Sequence, residues 1–312
     1  MARIWITGGR GFIGRHLARH LADIGHHVVG LGHGAWIECE AFRWGMERWL
    51  NGDIQHGNLR RLMFEVGVPD FVYHLAGGSS VGSAIASPRE DFARSVATTA
   101  ELLDWIRLES PATRLIAISS AAVYGAGHQG CITEDQTLVP FSPYGYHKLM
   151  MEQLCRCYAT TYGTRVAVTR LFSVYGSLLQ KQLLWDLCTK LAYGTSTVEL
   201  GGTGEELRDW TDVRDVVRAL SLVKELASDA VPILNAGTGK ATSVREVASI
   251  VTDAWPTVAK IIFSRKSRKG DPFSLVADGS RLRTLGFEWA VPVEIGIRNY
   301  VEWYLRQARS GA

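Results

Sequence analysis

Tyr144 and Lys148 are the most chemically suggestive pair of residues in the sequence. On a helix, side chains four residues apart project from the same face, one turn from each other. An isolated phenol titrates near pH ~10, and a nearby ammonium favours the phenolate and lowers that pKa. The spacing therefore predicts that Tyr144 accepts or donates a proton. Ser120, at the carboxyl end of a strand predicted over residues 114–119, could share the substrate oxygen that Tyr144 serves.

A glycine-rich turn lies between the first predicted strand and the first predicted helix. Arg3-Ile-Trp-Ile-Thr7 predicts a buried strand, Gly8-Gly-Arg-Gly11-Phe-Ile-Gly14 follows it, and helical spacing continues to Ile24. A second strand is predicted over residues 27–31. Strand, glycine turn, helix and strand are typical of a dinucleotide site, where the pyrophosphate lies at the helix N-terminus. The alternative is a tight turn that binds nothing.

The end of the second strand favours NADP over NAD. An acid there would hydrogen-bond the adenosine ribose of NAD, but the sequence reads Gly30-Leu-Gly-His-Gly34. Arg10, inside the glycine turn, could instead bind the 2′-phosphate of NADP. The alternative is that Arg10 is a solvated loop residue.

Composition and charge exclude several classes of function. The 312 residues carry a net charge of +3, and the basic residues are scattered apart from the segment 265–269, so nucleic-acid binding is not indicated. No apolar run reaches the ~18 residues of a membrane helix. The N-terminal segment lacks the layout of a signal peptide. Five cysteines without a Cys-x-x-Cys pair indicate a reducing, cytoplasmic setting.

The pattern of elements predicts an α/β fold with a Rossmann-type doubly wound parallel sheet. Residues 1–172 are expected to form the dinucleotide-binding domain, to which the chain returns around residues 208–236. Residues 173–312 are expected to form a smaller mixed α/β substrate lobe. Long helices are predicted from Pro88 to about Leu108 and through Tyr144 to Tyr162.

The motifs together resemble the extended short-chain dehydrogenase/reductase family that modifies nucleotide sugars, over nearly the whole chain. The motifs that carry the resemblance are Thr7-Gly-Gly-Arg-Gly-Phe-Ile-Gly14, His74-Leu-Ala-Gly77, Ser119-Ser-Ala-Ala-Val-Tyr-Gly125, Ser142-Pro-Tyr144 with Lys148, Arg170-Leu-Phe-Ser-Val-Tyr-Gly176, Arg208-Asp-Trp-Thr-Asp-Val213, Asn235-Ala-Gly-Thr-Gly239, Arg268-Lys-Gly-Asp271 and Val301-Glu-Trp-Tyr304. The resemblance implies a cytoplasmic enzyme of polysaccharide-precursor synthesis that binds a nucleotide-diphosphate sugar. It also implies a homodimer that pairs through the two long helices.

The resemblance assigns roles to individual residues. Tyr144 is implied as the catalytic acid/base, Lys148 as the residue that lowers its pKa and holds the nicotinamide ribose, and Ser120 as the hydroxyl that orients the reacting oxygen. The implied cofactor-binding residues are Gly8, Arg10, Gly11, Phe12, Ile13, Gly14, Asp53, Ile54, Leu75, Ala76, Gly77, Tyr144 and Lys148. The implied substrate-binding residues are Ser80, Ser120, Ser173, Arg208 and Arg268, and the two arginines match positions that hold the diphosphate. Solvated surface charges are the alternative for the arginines.

Two reactions at carbon 4 of the sugar fit these residues. Family dehydratases place an acid beside the catalytic hydroxyl, where this chain has Ala121 and Ala122, so dehydration is disfavoured. The preferred reaction is NADPH-dependent reduction of a 4-keto-6-deoxy sugar nucleotide, because Arg10 and Gly32 favour NADP. The alternative is 4-epimerisation with tightly held NAD, similar to UDP-glucose 4-epimerase. A non-catalytic dinucleotide-binding sensor is a third hypothesis, and the intact catalytic residues argue against it.

Overall fold

The computed structural model describes residues 1–266 and 272–310. Its strands are β1 (Arg3–Thr7), β2 (His27–Gly32), β3 (Arg48–Asn51), β4 (Phe71–His74), β5 (Arg114–Ser120), β6 (Cys131–Ile132), β7 (Arg165–Leu171), β8 (Ser173–Tyr175), β9 (Thr197–Leu200), β10 (Leu207–Arg208), β11 (Trp210–Asp212), β12 (Ile233–Ala236), β13 (Thr242–Ser243), β14 (Lys260–Phe263) and β15 (Ser274–Ala277). Its α-helices are α1 (Phe12–Asp23), α2 (Glu38–Arg43), α3 (His56–Val66), α4 (Val81–Ala86), α5 (Pro88–Phe92), α6 (Thr98–Glu109), α7 (Pro143–Tyr162), α8 (Gln182–Ala192), α9 (Val213–Val223), α10 (Val244–Ala254), α11 (Ser280–Thr284) and α12 (Val293–Ser310). Two compact units divide the chain: residues 1–125, 134–171 and 217–235 form the first, and residues 126–133, 172–216 and 236–312 form the second.

A seven-stranded sheet with the order β12-β7-β5-β4-β1-β2-β3 organises the first unit. The strands β1 to β5 and β7 pair in parallel, so their carboxyl ends lie at one edge of the sheet. The order reverses between β1 and β4, and ligands of doubly wound sheets bind at such a switch point. The predicted Rossmann-type fold is thereby confirmed.

The strands of the seven-stranded sheet carry apolar side chains, which are buried against the helices on its faces. The strands are short runs of buried residues, such as the pattern Ile4-Trp-Ile6 in β1, as expected of strands buried on both sides. Trp5 stacks on Trp105 of α6 with the ring centroids 5.2 Å apart. Residues of α3, α6 and α7 complete this core.

The helical segment predicted from Pro88 to Leu108 forms, but it is not a uniform α-helix. The α-helical hydrogen bonding of α5 gives way to a π-helical turn over Ala93–Ala97 before α6 begins. Such wider turns are rare and frequently lie at functional sites. Ser95 is in this turn and is 1% exposed.

The second unit contains short strands, and its helix α10 packs against α8 and α12. Its sheets are the four-stranded β13-β10-β15-β6 and the pairs β11-β8 and β14-β9. Ser243 caps α10 in a capping box with Glu246. The last helix, α12, spans Val293–Ser310. Within residues 1–266 and 272–310, no helix combines the length and apolarity needed to cross a bilayer.

Candidate active site

The glycine turn follows β1 and is closed by backbone contacts. Gly8 has a φ of +71°, and its N–H donates to the carbonyl of Leu31 at 2.9 Å. A Cβ atom on Gly8 would lie 2.8 Å from the backbone nitrogen of Ala76, and one on Gly14 would lie 2.5 Å from the Gly8 oxygen. Both positions therefore require glycine.

Helix α1 begins at Phe12, directly after the turn, and presents free backbone donors. Its N-cap is Gly11, and within the described residues no side chain makes a capping hydrogen bond there. The first turn also contains no acidic residue. Uncapped N–H groups at a helix N-terminus attract anions, so this turn fits the pyrophosphate of a dinucleotide.

Replacing Gly8 with alanine is expected to abolish dinucleotide retention. The added methyl would meet the backbone at Ala76 while the residue is held at a φ that L-amino acids rarely adopt. We expect the purified variant to contain no bound dinucleotide by absorbance and mass spectrometry. Gly57→Ala is the matched control, because nothing lies within 4 Å of its Cβ position. Equal dinucleotide content in both variants would contradict the assignment of this turn.

The structure brings Ser120, Tyr144 and Lys148 together at the carboxyl end of β5. Tyr144 is the second residue of α7, which Ser142 caps by accepting a hydrogen bond from the Gly145 N–H at 3.3 Å. The Tyr144 phenol hydrogen-bonds to Ser120. The Lys148 ammonium donates to the Ile118 carbonyl at 2.9 Å and lies 6.0 Å from the centroid of the Tyr144 ring. A strand end and the first turns of one helix therefore position all three side chains.

The pKa values in this group differ from the sequence-based expectation. Burial raises the pKa of the Tyr144 phenol, the hydrogen bond with Ser120 opposes that rise, and the charge of Asp91 adds to it. Burial lowers the pKa of Lys148 to about 8, against the opposing charges of Asp91 and Glu152. Loss of solvent therefore outweighs the lowering expected from Lys148, and the net pKa of the phenol is raised.

A directional chain of hydrogen bonds joins the glycine turn to the π-helical turn. The Ala76 N–H donates to the Thr7 hydroxyl at 3.3 Å, and that hydroxyl donates to His74 Nδ1 at 2.7 Å. His74 Nε2 then donates to Thr99 Oγ1 at 3.0 Å, since that hydroxyl donates onward to the Ser95 carbonyl at 2.6 Å. Burial and the charge of Lys148 lower the pKa of His74 to about 3, so the imidazole is neutral as this chain requires.

The segment after β4 contains the predicted cofactor residues Leu75, Ala76 and Gly77. The Gly78 N–H donates to the Ser95 hydroxyl at 2.8 Å, which ties this segment to the π-helical turn. A Cβ atom on Gly77 would lie 3.2 Å from that hydroxyl and 3.5 Å from the Lys148 nitrogen. The predicted cofactor loop and the predicted catalytic lysine are thus adjacent.

Asp53 and His33 form an ion pair at the ends of β3 and β2. His33 Nε2 lies 2.9 Å from Asp53 Oδ1, and both side chains are exposed. Ile54 is buried beside them in the chain. Arg10 is exposed and lies against Gly34, whose Cβ position is 2.5 Å from the guanidinium. Its binding to a 2′-phosphate remains a prediction.

The predicted substrate residues fall in different parts of the chain. Ser80 caps α4 by accepting a hydrogen bond from the Ser83 N–H at 3.2 Å. In the second unit, the Ser173 N–H donates to the Asp209 carbonyl at 2.9 Å, and the Arg208 guanidinium donates to the Leu207 carbonyl at 2.8 Å. Arg268 lies outside the described residues, so its role and that of Arg208 remain predictions.

Two buried pairs of ionisable residues in the first unit are not evident from the sequence. Asp91 pairs with His147, three residues after Tyr144, and Arg170 of β7 pairs with Glu152 of α7. The only signal in the sequence is an ionisable residue within a stretch that is otherwise expected to be buried.

Comparison with known proteins identifies the family. The sequence profile of the NAD dependent epimerase/dehydratase family matches residues 4–237. The chain belongs to this family. The predicted resemblance is confirmed, since this family contains the nucleotide-sugar enzymes of the extended short-chain dehydrogenase/reductase group.

Several members of the NAD dependent epimerase/dehydratase family are similar over almost their full length. A UDP-glucose 4-epimerase of Azospirillum brasilense is 28% identical over 299 residues, which cover 90% of this chain and 85% of that protein. The structure of MoeE5 in complex with UDP-glucuronic acid and NAD has a TM-score of 0.86 at 30% identity, covering 98% of this chain and 99% of that one. The UDP-glucuronic acid 4-epimerase of Bacillus cereus, in complex with UDP-glucuronic acid and NAD, has a TM-score of 0.87 at 25% identity, with the same coverage.

These relatives favour the alternative reaction over the preferred one. Two of these three names describe 4-epimerases, and both complexes contain NAD, whereas NADP and a 4-ketoreductase find no support. Arg10 and the glycines after β2 therefore did not predict the cofactor well. These residues indicate only that no acid stands at the end of β2, while Asp53 follows β3, the strand that neighbours β2.

Proposed function

We propose that the protein is an NAD-dependent 4-epimerase of nucleoside diphosphate sugars. The observation that carries the proposal is the contact of Tyr144 with Ser120 beside Lys148, at the carboxyl end of β5. The glycine turn and the uncapped start of α1 fit the cofactor's pyrophosphate, and the similarity to 4-epimerases supports the type of reaction.

Tyr144, Ser120 and Lys148 have different roles in moving the proton of the 4-hydroxyl group. A bound nicotinamide would accept a hydride from carbon 4 of the sugar and return it to the opposite face. Tyr144 takes the proton of the 4-hydroxyl and later gives it back, which needs a group within hydrogen-bond reach of that oxygen. Ser120 orients the same oxygen, because its hydroxyl already contacts the phenol. Lys148 contributes positive charge close to the phenolate as it forms.

The two alanines that follow Ser120 argue against dehydration of the sugar. Ala121 and Ala122 are buried and follow Ser120 in a short 3₁₀ turn. Eliminating water from the sugar requires a second acid or base close to the first, and methyl groups cannot supply it. An epimerase needs no such group, since the same tyrosine serves both directions.

The test measures conversion without added cofactor. The purified protein is incubated with UDP-glucose, UDP-N-acetylglucosamine or UDP-glucuronic acid, and the inversion at carbon 4 is followed by NMR. We expect one of these sugars to be inverted at carbon 4 and the protein to release NAD on denaturation. When the substrate carries deuterium at carbon 4, the product should retain that deuterium. Consumption of NADPH with a 4-keto sugar nucleotide, without inversion of any of the three, would instead support the reductase.

A further inference from the structure

A buried acid–imidazole pair lies next to the proposed catalytic residues. Asp91 Oδ2 of α5 is 2.5 Å from His147 Nδ1 of α7, and the two side chains are 5% and 11% exposed. The edge of the Phe92 ring packs against the imidazole, with the centroids 5.6 Å apart. His147 immediately precedes Lys148 and follows Tyr144 by three residues. No step of the proposed reaction uses this pair.

The second carboxylate oxygen of Asp91 faces the predicted cofactor loop. A Cβ atom on Gly78 would lie 1.7 Å from Asp91 Oδ1, so only glycine leaves room for the carboxylate. The neighbouring Gly77 faces the Lys148 nitrogen. Gly78 therefore adjoins the Asp91 carboxylate, and Gly77 adjoins the Lys148 ammonium. Neither glycine has a side chain that would screen these two charges from each other.

We propose that Asp91 and His147 are positioning residues, which fix a carboxylate charge near Lys148 and Tyr144 and thereby set the charge balance of the site. A buried ion pair is costly to desolvate and is weak evidence of a stabilising role. Ionisable groups held in such a place are instead typical of functional sites. The effect on turnover rests on the proposed epimerase function, but the effect on charge does not.

Two other ionisable groups near Lys148, Glu152 and His74, are hydrogen-bonded to other residues. Glu152, one turn further along α7, is bound by two nitrogens of the Arg170 guanidinium. His74 is neutral in its hydrogen-bonded chain. Asp91 is the largest of the charges that raise the Lys148 pKa against burial, and it also raises the pKa of Tyr144. The charge of Asp91 therefore favours the charged form of Lys148 and the protonated form of Tyr144.

His147 holds the Asp91 carboxylate in place. Its ring nitrogen donates to one oxygen of Asp91, while Phe92 restricts rotation of the ring. Asp91→Asn should consequently remove the negative charge near Lys148, whereas His147→Gln should leave that charge in place.

The test follows the titration of Lys148 by NMR. The full chain is prepared with carbon-labelled lysine side chains, and Lys148→Met identifies the resonance of interest. We expect Asp91→Asn to lower the pH midpoint of Lys148 by about one unit, and His147→Gln to leave it unchanged or raise it. Glu90→Gln is the matched control, because it removes the same charge from the same helix at an exposed position. It should leave the midpoint at its original value.

Each result decides the proposal. A midpoint in Asp91→Asn that equals the one in Glu90→Gln would overturn it, as would a fall of similar size in His147→Gln. The double variant Asp91→Asn/His147→Gln keeps a neutral hydrogen-bonded pair and should titrate like Asp91→Asn. If neither variant retained the native circular dichroism spectrum, the pair would be a stabilising element and the proposal would be wrong.

Turnover provides a separate readout. If the protein is a 4-epimerase, Asp91→Asn should shift the pH dependence of kcat and leave KM for the sugar nucleotide nearly unchanged. A shifted Lys148 midpoint in a protein without epimerase activity would uphold the role of Asp91 and reject the proposed function. The two proposals can therefore fail independently.

Discussion

Replacing Tyr144 by phenylalanine is expected to lower kcat roughly a thousandfold, within the range that general acid–base groups contribute. The substitution removes only the hydroxyl that contacts Ser120, while the ring near Lys148 stays in place. Binding of the sugar nucleotide and of the dinucleotide should persist, so KM and bound NAD should change little. The measurement is the initial rate of inversion at carbon 4 under saturating sugar nucleotide.

The matched control for this substitution is Tyr146→Phe on the same helix. Tyr146 is 48% exposed, and its loss of a hydroxyl should leave kcat at the level of the unmodified protein. Because the Tyr144 pKa is raised, turnover of the unmodified protein should also increase as the pH rises through neutrality. A Tyr144→Phe protein that retained a tenth or more of the original kcat would show that another group moves the proton.

Local features of the site could be predicted because short-range physics determines them. The glycine turn requires glycine for steric reasons at Gly8 and Gly14, and Ser142-Pro143 starts a helix by capping and by the fixed φ of proline. These effects act within a few residues, so the sequence contains all the information. The placement of Tyr144 and Lys148 on one helix follows directly from them.

Long-range contacts could not be predicted in the same way. Asp91 and His147 are 56 residues apart in sequence, and nothing in the periodicity of either segment indicates that they meet. The hydrogen bond from the Gly78 N–H to the Ser95 side chain, in the π-helical turn, likewise joins residues that are 17 positions apart. The pKa of Tyr144 was misjudged for a related reason, because burial is set by the whole fold and outweighs one neighbouring charge.

The short strands of the second unit had too few residues to show a pattern. β10 and β13 have two residues each, and a period of two cannot be recognised over such a length. β10 pairs with β13 on one side and with β15 on the other, so the pairing depends on these partner strands and not on a pattern within each strand. The residues predicted to bind substrate in this unit were therefore found by motif, without knowledge of the contacts around them.

Replacing Arg170 by methionine is expected to destabilise the fold by about 3–5 kcal/mol, the usual cost of leaving a buried charge without its partner. Arg170 is 1% exposed. Its guanidinium donates to both oxygens of Glu152 at 3.0 and 2.7 Å, to the Tyr124 hydroxyl at 2.9 Å and to the Glu134 carbonyl at 3.0 Å. The Glu152 carboxylate would remain buried in the variant, with Ser119 as its remaining hydrogen-bond donor.

The free energy of unfolding, measured by urea denaturation, tests this prediction. Arg61→Met is the control, since it removes an exposed ion pair with Glu65 and should cost less than about 1 kcal/mol. The double variant Arg170→Met/Glu152→Gln should recover part of the loss, because it removes the orphaned charge. A double variant no more stable than Arg170→Met would show that the loss comes from the contacts to Tyr124 and Glu134, which tie β7 to the segment after β5.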